Sequence, residues 1–111
     1  MSGETESLVY VTTPDRATAL AIARTLLEGR LIACANVLGG AHSLYWWDGN
    51  IEEAEETVMI AKTTTSRAAE VVDKVLACHP YDCPCVVTLP ITGGNPAFLS
   101  WIRTETSAES D

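Results

Sequence analysis

Cys78-His79-Pro80-Tyr81-Asp82-Cys83-Pro84-Cys85 places three thiols, one imidazole and one carboxylate within eight residues. Thiolates together with an imidazole suit Cu(I) or Zn(II). Pro80 ends the helix before it, so Cys78 sits at a helix end, across a turn from the other two thiols. On an extended strand Cys83 and Cys85 point to one face and can share a ligand position. The spacing is not that of a zinc-finger knuckle. Two readings stand side by side. In one, His79, Cys78, Cys83 and Cys85 ligate a metal. In the other, the thiols are structural, because free cysteine often behaves as a small buried hydrophobe, and His79 caps a helix C-terminus.

Elsewhere the chemistry is thinner. Cys34 lies among Ala33, Ala35 and Asn36 and reads as packed strand. His42, beside Gly39-Gly40, reads as a loop or interface residue. Glu52, Glu53, Glu55 and Glu56 offer oxygen donors for hard cations. Their spacing matches no calcium loop, and a solvated face or a partner for basic groups is the simpler reading. Tyr45, Trp46 and Trp47 form either a stacking platform or an oligomer anchor, aromatic residues being enriched at interface hot spots. There is no G-x-S-x-G, no H-E-x-x-H and no Walker A loop. Gly93-Gly94-Asn95-Pro96 is too short for a phosphate loop. A cysteine and His79 can be drawn as nucleophile and base, but no third, orienting group is identifiable. The expectation is a protein that is not an enzyme and requires no cofactor, copper or another divalent cation being the one ligand the thiols suggest.

These residues must be positioned by few elements. The chain has 111 residues, the length of one domain. Leu8 to Thr12 reads as a strand of β-branched and aromatic residues. Thr13 then caps a helix with Pro14 in its first position. Ala19, Ile22, Ala23 and Leu26 recur at helical spacing, and Gly29 is a stop. Leu31 to Trp47 reads as a long strand bent at Gly39-Gly40. Asp48-Gly49 predicts a tight hairpin turn, and Ile51 to Thr63 the return strand. A second helix spans Ser66 to Cys78, with the stripe Ala68, Val72, Val75 and Leu76 and an outward Glu70–Lys74 pair. Cys83 to Ile91 is a last strand, and Pro96 starts a short helix through Trp101. The order β-α-β-β-α-β plus a short C-terminal helix is the α+β, ferredoxin-like split βαβ: a four-stranded antiparallel sheet with both long helices on one face.

The strands are apolar on both sides. Along Leu31 to Leu38, Leu31, Ala33, Ala35 and Val37 alternate with Ile32, Cys34, Asn36 and Leu38. A sheet apolar on both faces needs cover on both, and two helices supply one. A homo-oligomer with sheet faces buried between subunits follows, unless the C-terminal helix folds across the open face.

Fifteen acidic against seven basic side chains give a formal charge of −8. This excludes a basic nucleic-acid platform and disfavours anionic membranes; no segment is long and apolar enough to span a bilayer. Five acids fall in residues 1–7 and 105–111, which read as flexible tails around a single domain over 8–104. Five more, Asp48, Glu52, Glu53, Glu55 and Glu56, sit in the hairpin, leaving the rest near neutral. The polar, acidic start is no signal peptide, so a cytoplasmic protein with reduced thiols is expected.

Several blocks resemble one family. Ser43-Leu44-Tyr45-Trp46-Trp47-Asp48-Gly49-Asn50-Ile51 is similar to the S-x-Y-x-W-x-G-x-I signature of the CutA divalent-cation tolerance proteins. Thr13-Pro14-Asp15, Ala33-Cys34-Ala35-Asn36, Lys62-Thr63, His79-Pro80-Tyr81 with Pro84, and Gly94-Asn95-Pro96 with Leu99 and Trp101 follow in the matching order. The resemblance implies a ferredoxin-like subunit, a homotrimer built through sheet faces and extended hairpins, kinship with trimeric PII signalling proteins, and a link to divalent-metal tolerance with copper binding in some members. It implies no common reaction. Copper-binding members carry a first-strand cysteine where this chain has Val11, and a His-His pair where it has Cys78-His79. Asp82 stands at the family's Glu, and Cys85 where an acid is frequent. Three functions therefore compete: a metal-tolerance trimer, a PII-like small-ligand sensor with a pocket between subunits, and a structural or anchoring trimer.

Overall fold

A computed structural model describes residues 4–107. Its elements are β1 (Glu6–Thr13), α1 (Arg16–Glu28), β2 (Cys34–Trp47), β3 (Asn50–Thr64), α2 (Thr65–Cys78), β4 (Val86–Ile91) and α3 (Pro96–Glu105). The sheet order is β2-β3-β1-β4 with every neighbouring pair antiparallel. This is the expected ferredoxin-like split βαβ.

Period-two alternation divides β1 between two environments. Val9, Val11 and Thr13 are fully buried under the helices. With Met59 and Ala61 of β3 they meet Ala19, Ile22, Ala23 and Leu26 of α1 and Val71 and Val75 of α2. The opposite row holds Leu8, Tyr10 and Thr12, aligned with Leu89 and Val87 of β4 and with Ile60 and Val58 of β3. Leu38, Val87 and Leu89 on that side are 49%, 49% and 46% exposed. The C-terminal helix covers only one end of this face, at Glu6 and Thr64, which are buried in the same row. Arg103 pairs there with Glu6 at 2.5 Å, and the end of the helix is tied to the helical layer by Arg30 to Glu105 at 2.7 Å and by Arg67 Nε–H donating to the Thr106 carbonyl at 2.8 Å.

Several boundaries differ from the sequence reading, each for a physical reason. Thr13 does not cap α1, because its hydroxyl donates to the Thr57 carbonyl at 2.9 Å. Asp15 is the cap, accepting from Thr18 N–H at 2.8 Å, and those hydrogen bonds lower its carboxyl pKa. Gly29 closes α1, but Arg30 is the left-handed residue, with φ 58°. The Leu31 N–H to Leu26 carbonyl bond closes that turn, so β2 starts only at Cys34. Val71 replaces Val72 in the buried stripe of α2, Leu76 is 49% exposed, and Glu70 pairs with Arg67. Glu6 and Ser7 are buried strand residues and Glu105 is helical, so they are not tail. Residues 1–3 and 108–111 of the expected tails lie outside the described residues.

The hairpin follows the expectation closely. Asp48 and Gly49 have φ of 52° and 81°, the pair of left-handed residues a two-residue turn requires. At Gly39-Gly40 the register shifts between Leu38 and Ala41. Strands of 14 and 15 residues, at roughly 3.3 Å per residue, nearly account for the 50 Å length of the molecule.

Candidate functional site

The bulge decides which hairpin side chains meet the open sheet face. Leu38 pairs with Val58, yet Ala41 pairs with Glu56, so β2 spends three residues where β3 spends two. Beyond the bulge the odd positions of β2 therefore continue the open face. Ser43, Tyr45 and Trp47 turn to that side, while His42, Leu44 and Trp46 align with Glu55, Glu53 and Ile51 on the other. Gly40 supplies the bend with φ 83°.

The second wall is the segment after α2. His79 Nε2 lies 2.7 Å from the Thr12 carbonyl, and Tyr81 N–H donates to His79 Nδ1 at 3.2 Å. An Nδ1 that accepts a backbone N–H leaves the ring proton on Nε2, which donates to Thr12. The Tyr81 ring lies 4.8 Å from the imidazole, and its hydroxyl donates to Glu56 Oε2 at 2.9 Å. Thr12 N–H donates to the Cys85 carbonyl at 3.3 Å. Residues 79–85 are thus fastened to the end of β1 and to β3. Burial, then the Glu56 hydrogen bond and charge, push the Tyr81 phenol up to about 12.

Between the outer half of the hairpin, β1 and this segment lies a concavity of about 500 Å³. Tyr10, Tyr45, Trp47 and Tyr81 line it, with Glu56 and Asp82 as carboxylates, Thr12 and Ser43 as hydroxyls and Cys83 and Cys85 as thiols. The sequence reading missed the concavity and Glu56's part in it. The signal available was the apolar parity of Tyr45 and Trp47, which needed the bulge's residue count to be aimed.

The four expected metal ligands do not converge. Cys83 and Cys85 line the same concavity, although β4 begins only at Val86 and both precede it. Cys78 lines a separate groove of about 260 Å³, against Thr18, Thr25 and Pro80. His79 is 8% exposed, with both ring nitrogens engaged. Among the described residues no three of His, Cys, Asp or Glu are grouped to hold a metal ion. Val11 is fully buried in the core. Cys34 is half-buried in β2, and burial pushes its thiol pKa up, opposed by the Lys62 charge. His42 is not in a loop but in β2. Its Nδ1 meets Glu55 at 2.8 Å and its Nε2 meets Glu53 at 2.6 Å.

The family model described as "CutA1 divalent ion tolerance protein" matches residues 7–105. The chain belongs to that family. It is 41% identical over 101 residues to the divalent-cation tolerance protein CutA of Thermus thermophilus, covering 91% of this chain and 98% of that one. Among solved structures, the divalent ion tolerance protein CutA1 of Ehrlichia chaffeensis superposes with a TM-score of 0.89 at 38% identity, covering 96% of this chain and 99% of the other. CutA of Archaeoglobus fulgidus, described as periplasmic, gives 0.89 at 41% identity, with coverages of 92% and 99%. These CutA relatives share the chain's whole architecture, and the family ties it to divalent-cation tolerance. No described helix is long and apolar enough to cross a membrane.

Proposed function

We propose that the chain serves divalent-metal tolerance as a non-catalytic homotrimer, holding copper or another divalent cation weakly through Cys83 and Cys85. The trimer reading rests on the open sheet face. Leu38, Val87 and Leu89 stay about half exposed beside Leu8, Tyr10 and Ile60, and a contiguous apolar face of this kind is an interaction surface. The metal reading rests on two thiols that share one concavity, thiolate being a donor for Cu(I) and Zn(II). All four cysteines are free, which suits a reducing cytoplasm. Sedimentation equilibrium is expected to give three times the 11.9 kDa chain mass; a monomer at micromolar concentration overturns the assembly. Copper and zinc titration is expected to show binding that the double variant Cys83→Ser, Cys85→Ser loses. Binding that survives the double variant overturns the thiol site.

A second reading, a small-ligand sensor, is favoured by the concavity itself, whose volume of about 500 Å³ falls in the range of ligand pockets. A thermal-shift screen of nucleotides and anions beside metals separates the two, because a ligand of the native state raises stability.

A further inference from the structure

The open sheet face is apolar in its middle but charged at its two ends, and the ends differ in sign. Period two puts Glu52, Ala54, Glu56, Val58, Ile60 and Lys62 of β3 in one row on that face. The row is in register with Leu8, Tyr10 and Thr12 of β1 and with Tyr45 of β2. Glu56 and Lys62 are six residues apart, roughly 20 Å along an extended strand. At the acidic end Asp82 lines the same concavity as Glu56. Tyr81 already donates to Glu56 Oε2, so Asp82 is the carboxylate whose oxygens stand open. At the other end the Lys62 ammonium donates to Asn36 Oδ1 at 2.6 Å, a neutral acceptor. Glu6 lies at that end too, but it is paired with Arg103. Among the described residues, neither Lys62 nor Asp82 forms an ion pair within its own chain.

In water a lysine beside an amide oxygen is stable. Between subunits it needs a counter-charge, because a buried charge left unpaired is costly. Its own chain supplies none within reach, since the open carboxylates of the face sit at the far end of the row. A second copy supplies one when its acidic end meets this basic end. When like ends meet, lysine faces lysine and carboxylate faces carboxylate, and such contacts are repelled.

We propose that Lys62 of each copy pairs across the subunit seam with Asp82 of the next, Glu56 adding its field, so that the charge polarity of the face decides which ends meet. The inference rests on the homotrimer proposed above and adds its contact rule. A closed ring of three is built from heterologous, head-to-tail contacts. Each copy then gives its lysine to one neighbour and its aspartate to the other, and no lysine is left over.

The test measures the assembly of the full chain by sedimentation velocity over a dilution series. Three variants are compared with the parent chain: Lys62→Glu, Asp82→Lys, and both exchanges in one chain. Each single exchange brings like charges together. It is expected to raise the concentration at which half the trimer dissociates by roughly a hundredfold, the scale of like charges juxtaposed in an interface. The double exchange re-creates an opposite pair and is expected to recover most of that loss. Circular dichroism follows folding in every sample. Where a single variant fails to fold as a free subunit, the double exchange still decides, since it restores a folded trimer only if the two charges meet. The seam pairing is overturned, with the trimer left standing, if either single variant assembles like the parent chain. It is equally overturned if both single variants dissociate and the double exchange recovers nothing. A monomeric parent chain overturns the trimer itself and the pairing with it.

Discussion

His79 Nε2 lies 2.7 Å from the carbonyl oxygen of Thr12, joining residues 67 positions apart. The bond crosses from the segment after α2 to the end of β1. On the ring's other side Nδ1 accepts from the Tyr81 backbone. One side chain therefore holds the wall that carries Tyr81, Asp82, Cys83 and Cys85. A metal at either nitrogen would have to displace one of these bonds.

It follows that His79→Ala should act on stability before it acts on metal. Removing the imidazole leaves a part-buried carbonyl and an N–H without their partner, a loss of about 1–3 kcal/mol. Urea denaturation should show a lower midpoint with an unchanged slope. Copper stoichiometry should stay at the value set by Cys83 and Cys85. A variant that unfolds like the parent chain but binds no copper would restore His79 as a ligand.

Gly40 offers a second test. A Cβ built there meets nothing within 4 Å, so any penalty for a side chain comes from its φ of 83° alone. Gly40→Val should cost about 1–2 kcal/mol, the scale of forcing an L-residue into left-handed backbone. If the strand escapes the penalty by slipping one residue, His42, Leu44 and Trp46 exchange faces with Ser43, Tyr45 and Trp47. Trp47 would then leave the concavity, and its emission maximum should shift. A thermal midpoint equal to the parent's would show that the bulge does not depend on this glycine.

These cases show which parts of the molecule local sequence encodes. Asp48-Gly49 is a local signal, because two left-handed residues in a row are rare outside such turns, and the hairpin formed as expected. The alternation in β1 and the helical spacing of Ala19, Ile22, Ala23 and Leu26 are also local, and both face the core. The first cap falls to Asp15 and not to Thr13, because the Thr13 hydroxyl is taken by Thr57, 44 residues away. The thiol cluster looked like one site because its members are adjacent in sequence. The end of α2 turns Cys78 into a groove on the helix side, while Cys83 and Cys85 pass to the open face. The aromatic concavity was illegible for the same reason: it depends on how many residues the bulge absorbs and on one hydrogen bond to a distant carbonyl.

His42 should respond to pH through the hairpin. Hydrogen bonds to Glu55 and then Glu53 raise its pKa above the ordinary 6.5. A folded-state pKa raised in this way adds stability that is fully present below 6.5 and lost as pH rises through the folded value. The group is exposed, so salt should shrink the effect. NMR titration should place His42 above 6.5, and His42→Gln should flatten the corresponding part of the stability profile. A His42 that titrates at its ordinary value in low salt would mean that the two carboxylates do not hold the ring in solution.

Tyr81 gives the corresponding test at the concavity. Burial first, then its bond to Glu56, raise the phenol from 10 to about 12. The unfolded chain ionises this phenol near 10, while the folded chain keeps its proton until about 12. Stability from this group is therefore whole below pH 10 and falls as pH rises toward 12. Of the three tyrosines, one should resist ionisation longest in an ultraviolet titration of the folded protein, and Tyr81→Phe should remove that step. Glu56→Gln should move the step back toward 10 without abolishing it, because the carboxylate's charge is lost while burial persists. If Glu56→Gln leaves the step in place, the Tyr81–Glu56 bond does not hold the phenol in solution and burial alone accounts for its shift.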